Sequence, residues 1–212
     1  LTTSDHCRNR TGMKYVYPVI SRRAGGVSVG INLNPNNACN WACLYCQVPD
    51  LQRGGPPPID LAQLKMELET LLEDILQGDF MEREVASDGR ILCDIAFSGN
   101  GEPTTAAEFA DAVDCVIDIM RRAGLPRSVK LRLITNGSQL HRPPVRQGIA
   151  AIGRFGLDAT QEIEEGLGEI WFKVDRATAS GIRTINRTAR SPERLRNQLL
   201  QCAQLAPTWV QT

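Results

Sequence analysis

Four short apolar runs, with stretches of helical periodicity between and after them, constrain the fold more than any other feature of this chain. Val27 to Leu33 (VSVGINL), Ile91 to Phe97 (ILCDIAF), Val129 to Thr135 (VKLRLIT) and Glu169 to Val174 (EIWFKV) have the length and composition of buried strands. After the first run, Asp60 can cap a helix with Leu61, Leu64, Leu68, Leu71, Leu72 and Ile75 on one face. After the second, Thr105 with Glu108 reads as a capping box for a helix whose stripe is Phe109, Ala112, Val113, Val116, Ile117 and Met120. Pro143-Pro144 suit the first turn of the next helix and Ser191-Pro192-Glu193 the start of the last, while Trp209 opens a fifth strand. Such alternation implies right-handed βαβ units and a parallel sheet, an α/β fold whose reactive residues gather at the carboxyl ends of the strands. Residues before Gly25 show no regular element, and residues 155–168 fit either a short helix or a loop.

The chain has 212 residues, enough for one sizeable domain. Lys+Arg and Asp+Glu are both 24, so no global basic footprint points to nucleic acid. No apolar run is long enough to span a bilayer, the first residues are polar, and the seven cysteines are odd in number and partly crowded into one loop. A cytoplasmic protein in a reducing compartment, with no membrane partner, is the expectation. The chain starts at Leu1, not Met, and is expected to be trimmed at its N-terminus.

Each strand end carries something unusual. The first delivers Cys39, Cys43 and Cys46, three thiols with Tyr45 before the last. Three closely spaced thiolates suit a soft metal centre and leave one position without a protein ligand; the other reading is a zinc site completed by His6 or His141. The second end is Ser98-Gly99-Asn100-Gly101-Glu102-Pro103-Thr104, where glycines let the backbone approach a ligand and adopt positive φ, which Asn100 also tolerates. At the third, Asn136 either reaches a ligand or makes an Asx turn. At the fourth, Lys173 and Asp175 share a strand face and either pair with neighbours or bind a ligand. Cys93, Cys115 and Cys202 read as buried apolar residues, and Cys7 is open.

The cysteine spacing and the glycine motif, with SRR before the first strand, NLNP before the cysteines, SGNGEPT, LITNGS and FKVD, resemble the radical S-adenosylmethionine (SAM) superfamily in its wyosine-synthetase-like branch. The resemblance runs from about Val16 to the last residue. It implies a partial (β/α) TIM-like barrel with parallel strands over residues 27–212, preceded by an N-terminal extension at 1–26. It further implies a 4Fe-4S cluster on Cys39, Cys43 and Cys46, and SAM held by Tyr45, Gly99, Asn100, Gly101, Glu102, Pro103, Asn136, Lys173 and Asp175. A low-potential electron donor of flavodoxin or ferredoxin type follows as a partner; no residue is singled out for catalysis. Members of the superfamily close their sheet with roughly six strands, against eight in a full barrel, so the native chain is expected to continue past Thr212. The tRNA-modifying members carry further cysteines upstream for a second cluster, where this chain has Cys7 alone. An unidentified peptide or small molecule is therefore ranked ahead of tRNA as substrate.

Overall fold

The structure, a computed structural model, describes residue 1 and residues 12–21, 25–157 and 166–212. His6, Cys7, Arg22, Arg23 and most of the stretch at 155–168 lie outside the described residues. β1 (Val16–Ser21) and β2 (Gly26–Ile31) form an antiparallel pair from Val16 opposite Ile31 to Ser21 opposite Gly26. β1 corrects the expectation of no regular element before Gly25. Pro18 obscures it, since proline is poor in a central strand, but β1 lies at the sheet edge, where proline is tolerated.

The cysteine loop is bracketed by the two-residue parallel pair β3 (Ala38–Cys39) and β4 (Gln52–Arg53), which sets Cys39 opposite Arg53. α1 (Leu61–Leu76) starts at Asp60, whose side chain accepts from the Gln63 amide at 3.0 Å as expected. Among its buried leucines sits one buried acid. Glu67 accepts backbone N–H groups of Lys14 at 3.0 Å, Tyr15 at 2.7 Å and Val16 at 3.2 Å, fixing the entry to β1. A short helix that periodicity missed, α2 (Phe80–Glu84), precedes β5 (Leu92–Phe97).

α3 (Phe109–Arg122) buries the expected stripe, but the capping box does not form. Pro103–Thr105 is a separate 3-10 turn, the Thr105 hydroxyl donates to the Glu102 carbonyl at 2.6 Å, and Glu108 is the cap residue, with no side-chain bond to the helix amides. β6 (Lys130–Thr135), α4 (Pro143–Arg154), β7 (Gly168–Lys173), α5 (Ala179–Asn186), α6 (Pro192–Leu205) and β8 (Thr208–Gln211) follow. Of these only α5 was not anticipated; Thr178 and Ser191 cap α5 and α6.

Among the described residues the six strands of the main sheet run β1-β2-β5-β6-β7-β8, and from β2 onward every neighbouring pair is parallel. The fold is a mixed α/β arrangement with a mostly parallel sheet. β2 is buried throughout, whereas β6 and β7 alternate. Leu131, Leu133, Ile170 and Phe172 enter the core with α3 and α4, and Phe97 meets Phe109 edge to face at 5.9 Å. The other face carries Arg132, Ile134, Glu169, Trp171 and Lys173, each half-buried. There Arg132 pairs with both Asp94 and Glu169, and its guanidinium lies 4.7 Å from the Trp171 ring centroid. Asp94 is buried, which this pairing makes tolerable. Cys202 is buried as expected, but Cys93 and Cys115 are only half-buried: Cys115 packs against the edge of the core, and the Cys93 thiol turns to the Ile91 carbonyl. No helix among the described residues is long and apolar enough to cross a membrane.

Candidate functional site

A cleft of about 350 Å³ opens at the carboxyl ends of the strands. Cys39, Cys43, Tyr45 and Cys46 line it from the cysteine loop, Gly99, Asn100, Gly101 and Glu102 from the end of β5, Asn136 from the end of β6 and Lys173 from β7. Four separate stretches of sequence thus meet at one opening. Pro103 and Asp175 are not among its walls; Pro103 is buried in the turn before α3. Tyr17, Trp41, Ser98 and Ile134 complete much of the lining.

The cysteine loop is held by asparagines that no sequence argument singled out. The Asn32 side-chain oxygen accepts the amides of Asn34 and Asn100, both at 3.1 Å, joining the ends of β2 and β5. Asn34 donates to the Ala38 carbonyl at 3.0 Å, and Asn37, at φ +57°, accepts from Asn100 at 2.6 Å. Asn40 accepts from Asn136 at 3.0 Å and donates to Ser138 at 2.6 Å, linking the loop to the end of β6. The available signal was the density of asparagine from Asn32 to Asn40, a residue whose side chain mimics backbone and tolerates left-handed conformation.

This packing changes the reading of the glycines. A Cβ on Gly99 would lie 2.5 Å from the Asn32 side-chain oxygen, and one on Gly101 2.1 Å from the Ala38 carbonyl, so both serve the approach of the β5 end to the cysteine loop. Only Gly99, at φ +139°, has positive φ; Asn100 and Gly101 do not, contrary to expectation, because the Asn32 and Asn37 bonds hold Asn100 on the other side of the map.

Glu102 is buried, and its carboxylate accepts from the Thr135 hydroxyl at 2.6 Å, the Asn136 amide at 2.7 Å and both the amide and hydroxyl of Thr104. It clamps the ends of β5 and β6 together. Burial pushes its acidity to higher pH, against the pull of those donors. Asn136 makes the Asx turn, accepting from the Ser138 amide at 2.9 Å.

Lys173 lies with its ammonium 4.7 Å from the Tyr45 ring centroid, and Asp175 accepts the Tyr45 phenol at 2.6 Å and the Asn186 amide group. Lys173 and Asp175 are therefore joined through Tyr45 and are half-buried rather than sealed inside. Burial and the Asp175 carboxylate hold the Tyr45 phenol far above its ordinary value, so it remains a donor.

Cys39 accepts the Trp41 amide at 3.5 Å and Cys43 accepts Asn186 at 3.3 Å. Burial pushes the Cys39 thiol up to about 11, so a metal centre must displace its proton. Among the described residues no three or more His, Cys, Asp or Glu side chains are gathered as ligands of one metal ion, and His141 lines a different hollow with Ser191 and Arg194. That arrangement speaks against a mononuclear zinc site completed by His141. It leaves three thiols on the walls of one cleft, a donor set that fits a multi-iron cluster, whose thiolates go to different irons and need not converge on a point.

No family model matches the sequence. Over 150 residues the chain is 26% identical to the GTPase Obg of Brachyspira hyodysenteriae (strain ATCC 49526 / WA1), covering 70% of this chain and 19% of that protein. None of the lysines Lys14, Lys65, Lys130 and Lys173 follows a glycine, so the chain has no Gly-Lys-Ser/Thr phosphate loop. In fold the chain is similar to a solved structure of TYW1 with a lysine–pyruvate adduct bound, at a TM-score of 0.52 and 13% identity, covering 97% of this chain. The chain spans 59% of that structure's length.

Proposed function

We propose that this chain is a radical SAM enzyme whose core is a partial (β/α) barrel. The observation that carries the reading is the convergence on one cleft of three thiols from a single loop with the glycine-containing end of the neighbouring parallel strand. Likeness in fold to TYW1 points the same way, toward a radical SAM-type or wyosine-related function.

In this reading Cys39, Cys43 and Cys46 would hold a 4Fe-4S cluster, and the cleft beside them would take SAM. When bound, the cluster and SAM would supply radical chemistry: one electron from a low-potential donor would cleave SAM reductively, releasing methionine and allowing hydrogen abstraction from a substrate. The chain's own residues orient and shield that chemistry. The Asn186 and Trp41 N–H groups donate to the thiolates and tune the potential. Backbone at Gly99 to Gly101, fixed by Asn32 and Asn37, offers polar groups to the SAM ammonium, while Glu102 and Asp175 act by positioning Asn136 and Tyr45. Lys173 supplies the cation beside the cleft for the SAM carboxylate. The substrate is a peptide or small molecule ahead of tRNA, and the protein works in the reducing cytoplasm.

Anaerobic reconstitution tests the reading. The expected product holds about four irons, shows a broad thiolate-to-iron absorption band bleached by dithionite, and cleaves SAM reductively. Cys39→Ala, Cys43→Ala and Cys46→Ala should each abolish all three properties, whereas Cys115→Ala should keep them. Stoichiometric zinc without iron uptake would overturn the reading.

A further inference from the structure

Charge is unevenly distributed in this neutral chain. From Arg176 to Arg196 there are six arginines against one acid, Glu193. Arg176, Arg183 and Arg187 are exposed. The ion pairs described elsewhere involve Arg83, Arg121, Arg122 and Arg132; none of the three exposed arginines on or beside α5 pairs with a described acid.

These arginines sit on the polypeptide that supports the thiols. The Leu44 amide donates to the Ile185 carbonyl at 2.8 Å and the Ala42 amide to the Asn186 carbonyl at 3.4 Å, stitching the cysteine loop to the end of α5. From the other side Arg53, in register with Cys39, donates to the Asn40 carbonyl at 2.8 Å and to the Arg187 carbonyl. Leu44, whose amide bonds to the backbone between Arg183 and Arg187, is an apolar side chain 52% exposed.

We propose that this surface, Arg53, Leu44, Arg183 and Arg187 with Arg176 at its margin, docks an acidic low-potential electron-transfer protein of the flavodoxin or ferredoxin type. The proposal rests on the radical SAM reading. One electron leaves the donor's reduced centre and reduces the cluster by one electron; no proton or group moves. Electron transfer falls steeply with distance, so the donor must sit against the loop that holds the thiols, and exposed cations lie beside that loop at Arg53, Arg183 and Arg187. A small interface with an apolar centre and a charged surround suits transient redox encounter, in which complementary charge raises the on-rate. A nucleic acid would instead call for a long track of phosphate contacts.

The test reverses Arg183→Glu and Arg187→Glu together in the reconstituted full chain. SAM cleavage is measured with dithionite and with a reduced flavodoxin, and flavodoxin binding is followed directly by surface plasmon resonance at low and moderate salt. Expected are unchanged iron content, dithionite-driven cleavage close to the parent's, and flavodoxin-driven cleavage and binding lower by roughly tenfold or more at low salt, the difference shrinking as salt is raised. Dithionite-driven cleavage with flavodoxin binding and turnover untouched by the reversal overturns the docking surface alone. A reversal that removes binding of unmodified tRNA while sparing flavodoxin assigns the surface to nucleic acid and also overturns it. Absence of dithionite-driven cleavage in the parent overturns the radical SAM reading and this proposal with it.

Discussion

The Tyr45 phenol donates to the Asp175 carboxylate at 2.6 Å, closing the cysteine loop onto the end of β7 across 130 residues of sequence. The same carboxylate accepts from Asn186, which also donates to Cys43. Asp175 therefore holds the loop from two directions. Tyr45→Phe removes one of these bonds at a half-exposed position and should cost about 1 kcal/mol. Asp175→Ala leaves both donors without their acceptor and should cost about 1–3 kcal/mol. Thermal unfolding checks the order of the two: at this chain length each kcal/mol moves Tm by roughly 2–4 °C.

Glu102 offers a sharper case, because all four of its partners are donors. Glu102→Gln places an amide N–H₂ against at least one of them, and we expect a loss of about 1–3 kcal/mol by denaturant titration. An equal stability for the two proteins would mean that the clamp between β5 and β6 contributes nothing.

Glu67→Ala should destabilise the protein by about 1–3 kcal/mol, since three backbone N–H groups at the start of β1 lose their acceptor. Hydrogen exchange at Tyr15 and Val16 should rise more than at Leu131 or Leu133, which lie in the parallel core. Uniform acceleration would show that β1 does not open separately.

On the radical SAM reading proposed above, Asn186→Leu in the reconstituted protein should make the potential of the proposed cluster more negative. An N–H directed at a thiolate stabilises the more negative, reduced state, and this variant removes one from Cys43. Redox titration followed by electron paramagnetic resonance reads the shift; a potential unchanged or raised contradicts the assigned contact.

Much of the architecture was legible because periodicity and capping are local. The four apolar runs became β2, β5, β6 and β7, Trp209 fell within β8, and Asp60 and Ser191 cap α1 and α6. The failures were also local in cause. β1 was hidden by Pro18, and the Thr105–Glu108 spacing fits a capping box but is taken up by a 3-10 turn held by Glu102. The arginines near α5 escaped notice because they are spread over a helix and its flanks, so no contiguous basic run appears in the sequence.

By itself the sequence determined which chemistry the chain can present: three thiols in one loop, glycines at the next strand end, and a parallel order of strands that brings such ends together. Tertiary structure alone decided what each polar residue does there. Asn32, Asn40 and Asn186 became the scaffold of the cysteine loop, and Glu102 turned inward as a clamp. Lys173 and Asp175 met through Tyr45. A carboxylate or amide is equally suited to a ligand or to a backbone N–H, and only the positions of distant donors in the folded chain choose between them.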